Sequence, residues 1–292
     1  MVDNQDQKIA DLKERMDSMF SFASQVPYKT NHLLPVIQGS KSLIGMDLNH
    51  PPRNLLKWLD NYIKDFVPNF NPPSLPDQNS LPETITYTHL RKLILHKKEN
   101  EANIYLTHLL QVADPRHIAE FLMELGVKKS PGSILFCWST FRSIQFFGEQ
   151  NGYPLLYHCL GKLLEIEEDG KNKTKLVMEK FALYCHQFQI RSTSMVRKNK
   201  IIPQLDKMIQ TIKRELNKTA TPAILSTLGN IIRTEGKQGI ISYLAILKME
   251  DISTDLILLL DALRSSLKFS DNREDPFLLG IFDNHRAYEC AE

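Results

Sequence analysis

Residues 114–148 read DPRHIAEFLMELGVKKSPGSILFCWSTFRSIQFFG, and this stretch decides the fold class. Asp114-Pro115 is an N-cap followed by proline in the first helical turn, where a backbone N–H is not needed. Ile118, Phe121, Leu122 and Leu125 then recur at the spacing of one helix face, and Gly126 closes the segment. Ser130-Pro131 opens a second segment, through Leu135, Trp138, Phe141, Ile144 and Phe147, which Gly148 closes. A residue without a β-carbon takes the left-handed conformation that ends a helix at little cost.

The same grammar extends outward. Tyr153 to Glu165 predicts a further helix, as do Lys173 to Ile190, Ile202 to Leu216, Thr221 to Arg233, Ile240 to Met249 and Asp255 to Leu267. Upstream, Asp6 to Phe22 places Ile9, Leu12, Met16, Met19 and Phe20 on one face. Asn31 to Ile44 and Arg53 to Phe66 follow, separated by Gly45 and Pro51-Pro52. No run alternates apolar and polar residues between turn signals. The expectation is all-α, a multi-helix globular bundle or helical-hairpin stack of about ten to thirteen helices without a sheet.

Five prolines between Val67 and Pro82 exclude a helix there and predict a long loop. The expected organisation is N-terminal helices over 1–66, a Pro-rich loop or linker over 67–84, a main helical body over 85–269 and a loosely packed tail over 270–292. No fixed-period repeat emerges.

The chain has 292 residues, 36 basic against 34 acidic, with a formal net charge of +2. That balance does not point to a nucleic-acid partner. The basic stretch Arg191 to Lys200 is read as a solvated loop rather than a phosphate site. The polar N-terminus is not a secretory signal, and no apolar run spans a bilayer. Four cysteines without paired spacing suit a reduced compartment, so a soluble, cytoplasmic protein is expected.

The nine histidines form no His-Glu-x-x-His or Glu-x-x-His pattern. Phosphate-binding glycine loops, dinucleotide fingerprints and a Gly-x-Ser-x-Gly elbow are also missing. Cys137-Trp138, His158-Cys159 and Cys185-His186 lie on three predicted helices and mix ligands that zinc or copper accepts. Buried cysteine commonly packs as a small apolar side chain, so core packing is preferred and no metal is expected. The aromatic run Phe136, Trp138, Phe141, Phe146 and Phe147 covers more than one helix face. It therefore lies central in the core or walls an apolar pocket.

Thr30-Asn31-His32-Leu33-Leu34-Pro35 leads into one helix, and Leu56-Lys57-Trp58-Leu59-Asp60-Asn61-Tyr62 lies on the next. Together with Asn100 to Phe147, which carries Ser139-Thr140-Phe141-Arg142, these residues resemble the questin oxidase-like family over about half the chain. The resemblance implies an all-helical fold and, at its fullest, oxidative ring opening of an aromatic polyketide with a nicotinamide cofactor such as NADPH. His32 and Arg142 carry over, the first facing a pocket, the second orienting a phenolate or carboxylate. Cys137-Trp138 stands where the family tends to place a histidine ahead of the arginine.

Two functions follow as expectations. One is a helical oxidoreductase acting on an aromatic or other apolar small molecule. It would use His32, Arg142 and His158 in a pocket lined by Asn31, Cys137, Trp138 and Tyr157. The other is a non-catalytic helical module, solenoid-like, that binds another protein.

Overall fold

The computed structural model describes residues 2–27, 33–71, 81–126, 131–148, 151–165 and 236–254, with 256–258, 260, 261 and 264. Contacts divide the chain into two compact units, Met1–Lys41 with Leu59–Asp169, and Ser42–Trp58 with Gly170–Glu292. Among the described residues every regular element is helical, and there is no strand. The units cut across the sequence segments, because residues 42–58 group with the C-terminal half rather than with their neighbours.

The first unit is built from α1 (Val2–Ser24), most of α2 (Leu33–Ile44), the end of α3 (Arg53–Ile63), α4 (Tyr87–Leu95), α5 (Glu99–Val112), α6 (Pro115–Gly126), α7 (Pro131–Phe147) and α8 (Gly152–Leu164). Several of its helix ends carry the caps their residue types call for, whereas Asn151 before α8 makes no capping bond from its side chain. Thr86 is extended, and its hydroxyl accepts the His89 N–H at 3.2 Å at the start of α4. Asp114 Oδ1 accepts the Arg116 N–H at 2.7 Å, with Pro115 opening α6. Gly148 ends α7 at φ +97°, and its N–H donates to the Ile144 carbonyl.

The centre of this unit is α8. It packs against α1, α4, α5, α6 and α7. Leu155, Leu156, His158, Cys159, Leu160, Leu163 and Leu164 are all buried, so it is enclosed nearly all round. The aromatic helix α7 is one layer out: Trp138, Phe141, Phe146 and Phe147 are only half-buried, while Leu135, Phe136, Cys137 and Ile144 face inward. Phe20 of α1, fully buried, meets both Phe146 and Phe147.

The Pro-rich stretch is non-helical at 67–71 and 81–86. Phe70 turns back to the end of α1, where its N–H donates to the Gln25 carbonyl at 2.9 Å.

In the second unit, the described residues comprise the end of α2, the start of α3, α9 (Lys237–Ile246), a short 3-10 turn at Met249–Asp251, and helical residues from 254 onward. The Asn54 amide donates to the Leu247 carbonyl at 2.8 Å, holding the start of α3 to the end of α9. The Ser253 hydroxyl accepts the Leu256 N–H and caps the last helical stretch. The expected helices over 173–190, 202–216 and 221–233, and the tail 270–292, lie outside the described residues.

Candidate functional site

α7 ends at Phe147 and α8 begins at Gly152, so the two form a tight helical hairpin. Neighbours across such a hairpin are equidistant from its turn. Ile144 and Gly152 lie four residues either side of Gly148, and a β-carbon on Gly152 would sit 3.6 Å from the Ile144 side chain. Cys137 and Cys159 lie eleven residues either side, and their sulfurs are 3.4 Å apart. The two pairs are seven residues apart on each helix, which is two turns of one seam. Cys137 and Cys159 thus face each other because they share that seam, and both are wholly buried thiols.

His158 precedes Cys159 by one residue, a rotation of roughly 100° about the helix axis, and therefore faces elsewhere. It reaches α1. Its Nε2 lies 2.8 Å from the carbonyl oxygen of Ser24, the last residue of that helix. A carbonyl only accepts, so Nε2 carries the proton. The bond satisfies one of the carbonyls that a helix leaves open at its C-terminus. Phe70 packs at a tilt against the imidazole, with ring centres 4.5 Å apart, and against Tyr157 at 5.1 Å. Burial pushes the His158 pKa below its ordinary 6.5, outweighing the opposing pull of the Ser24 carbonyl. Burial also raises the pKa of Tyr157, helped by the negative charge of Glu99. At neutral pH both rings are uncharged, and His158 serves as a pin between α8 and α1.

The other expected residues fall as follows. Trp138 and Arg142 are one turn apart on α7, with the guanidinium 5.7 Å from the indole. The Tyr157 hydroxyl accepts from the Asn103 amide at 3.4 Å. Asn31 and His32 lie outside the described residues, as do Cys185, His186 and the basic stretch 191–200. The structure brings Cys137 to Cys159, Trp138 to Arg142, and Tyr157 to His158. Among the described residues, no three His, Cys, Asp or Glu side chains are placed to hold a metal ion.

A concave site lies in the second unit, on residues that sequence reasoning passed over. Leu43, Met46, Pro52, Ile241, Leu244 and Ala245 line a groove of about 70 Å³, with Asp47 and His50 at its edge. Asp47 is set by a local turn: its Oδ1 accepts the N–H groups of Asn49 and His50, each at 3.1 Å. The His50 N–H bond is the largest cause that holds the Asp47 carboxyl below its usual range, and the Asn49 N–H adds to it. Leu48, Ile246 and Met249 are exposed on the same unit, Ile246 at 77%. The one signal available in the sequence was Asp47-x-Asn49-His50 before a proline pair, which reads as a turn but says nothing of α9 opposite.

No family model matches the chain, and neither a curated protein nor a solved structure is similar to it. Among the described residues no helix is long and apolar enough to cross a membrane.

Proposed function

We propose that the chain acts by binding another protein, seating one apolar side chain of a partner segment in the groove between Leu43–Pro52 and α9. The carrying observation is an apolar groove on a unit that also exposes Leu48, Ile246 and Met249. Leu48 and Ile246 directly follow the lining residues Asp47 and Ala245 in the chain, and exposed apolar residues close to a concavity mark contact surfaces. About 70 Å³ is far short of the several hundred Å³ that a bound aromatic small molecule fills, yet it suits one aliphatic side chain. The Asp47 carboxylate, held ionised by backbone N–H groups, adds a fixed negative charge at the rim. The matching partner is a short amphipathic helix with an aliphatic anchor and a basic residue about one turn away.

The test is selection from a displayed peptide library against the full chain. Enriched peptides should carry an aliphatic anchor with Lys or Arg nearby, and Ala245→Arg should weaken them by roughly tenfold or more. Ala245 is exposed on the groove wall, so the change leaves the core alone. Equal binding to that variant refutes the proposal.

A second reading, the oxidoreductase, draws on α7, where Arg142 beside Trp138 presents a cation at an aromatic face. It predicts NADPH consumption with a phenol or quinone that falls sharply in Arg142→Lys. A panel of such compounds that leaves NADPH untouched removes it.

A further inference from the structure

Two thiols that share the α7–α8 seam, 3.4 Å apart and enclosed by the unit's central helix, are placed for each other rather than for solvent. The register follows from hairpin symmetry about Gly148, and Ile144 against Gly152 reports it independently. We propose that Cys137 and Cys159 form a dithiol modification site, oxidised by hydrogen peroxide to an intramolecular disulfide that staples α7 to α8.

The chemistry balances without a cofactor. One sulfur, as thiolate, attacks a peroxide oxygen; the O–O bond breaks and the departing hydroxide takes a proton to leave as water. The resulting sulfenic acid is then attacked by the second sulfur as its own proton is lost. The S–S bond forms, the S–O bond breaks, and a second water leaves. Two thiols lose two electrons and two protons, and peroxide is reduced to two waters. Bond formation shortens the sulfur separation from 3.4 Å to about 2.05 Å. Peroxide is small and neutral, and reaches the seam when the hairpin opens locally. Oxidation is therefore slow but selective. The sulfenic acid forms beside a thiol and is trapped as a disulfide before a second peroxide arrives.

The experiment treats the full, unsubstituted chain with hydrogen peroxide under native conditions, alkylates the remaining thiols in denaturant and maps tryptic peptides. The expected product joins peptide 130–142 to peptide 143–162 with the loss of two hydrogens, and dithiothreitol reverses it. The oxidised chain should melt roughly 5–10 °C higher, because the cross-link closes a loop of about two dozen residues in the unfolded state. Three results overturn the proposal: both thiols still alkylatable after oxidation, Cys137 or Cys159 driven instead to sulfinic acid, or cross-links running to Cys185 or Cys290. In Cys159→Ser, Cys137 should form no link and should react no faster than in the intact chain; faster reaction there also refutes it.

Discussion

Replacing His158 tests whether that side chain is a structural pin. His158→Ala removes the donor that satisfies the Ser24 carbonyl at 2.8 Å, in a position where His158 is 2% and Ser24 8% exposed. A buried acceptor left without its partner costs about 1–3 kcal/mol. Loss of the ring packed at a tilt against Phe70, 4.5 Å between centres, adds about 0.5–1.5 kcal/mol. The expected destabilisation is roughly 2–4 kcal/mol, which moves a urea midpoint by about 1–2 M. Trp138 lies in the same compact unit and Trp58 in the other. Urea titration followed by fluorescence in a Trp58→Phe background therefore reports the unit that contains His158. His158→Gln should recover most of the loss, because its amide nitrogen reaches about as far as Nε2 and also donates.

The same residue makes a pH prediction. Its pKa in the folded chain is below the ordinary 6.5. Above 6.5 the imidazole is neutral in both states and its contribution is intact. As pH falls below 6.5 the unfolded chain takes up the proton first, so stability declines until the folded-state pKa is passed. His158→Gln should lose less stability than the parent on going from pH 7 to pH 5. If His158→Ala costs less than about 1 kcal/mol, or if the glutamine variant keeps the full acid dependence, the pin does not hold α8 to α1.

Four further substitutions test the local geometry, each read by urea titration. Thr86→Ala should cost about 1 kcal/mol, because the hydroxyl that accepts the His89 N–H is lost. Gly148→Ala and Gly152→Ala should both destabilise, for different reasons. At Gly148 a β-carbon meets nothing within 4 Å, so the whole cost, about 1–2 kcal/mol, is the φ of +97°. At Gly152 the backbone is helical, but a β-carbon falls 3.1 Å from Pro115 Cβ. Because the ring is rigid, clash outweighs helix propensity and leaves a net loss of roughly 1 kcal/mol. Arg15→Ala should change stability by less than about 1 kcal/mol, since its ion pair with Asp60 leaves both side chains more than a third exposed.

Helix boundaries were legible because their signals are local. Asp114-Pro115, Ser253 and Gly148 each act through bonds to residues within four positions, so the residue type almost dictates the geometry. The partition into units was not legible. Asn54 meets Leu247 across 193 positions, and nothing in either neighbourhood announces the other. The groove in the second unit has the same origin, with one wall from residues 43–52 and the other from 241–245.

The cysteine pairs show where local reading ends and register begins. Cys137, His158 and Cys159 lie on adjacent helices, so composition alone gathers them into one cluster. Helical rotation separates them: successive residues on α8 diverge by roughly 100°, so His158 and Cys159 leave the helix in different directions. The structure resolves the two directions, the imidazole to the end of α1 and the thiol to α7. The hairpin turn at Gly148 decides which α7 residue the thiol meets. The length of that turn, rather than the chemistry of the residues it brings together, therefore makes a dithiol seam of two cysteines twenty-two positions apart. Inserting one residue into the turn would shift one helix against the other by about 1.5 Å along the axis and roughly 100° around it, which separates the sulfurs while leaving both helices intact.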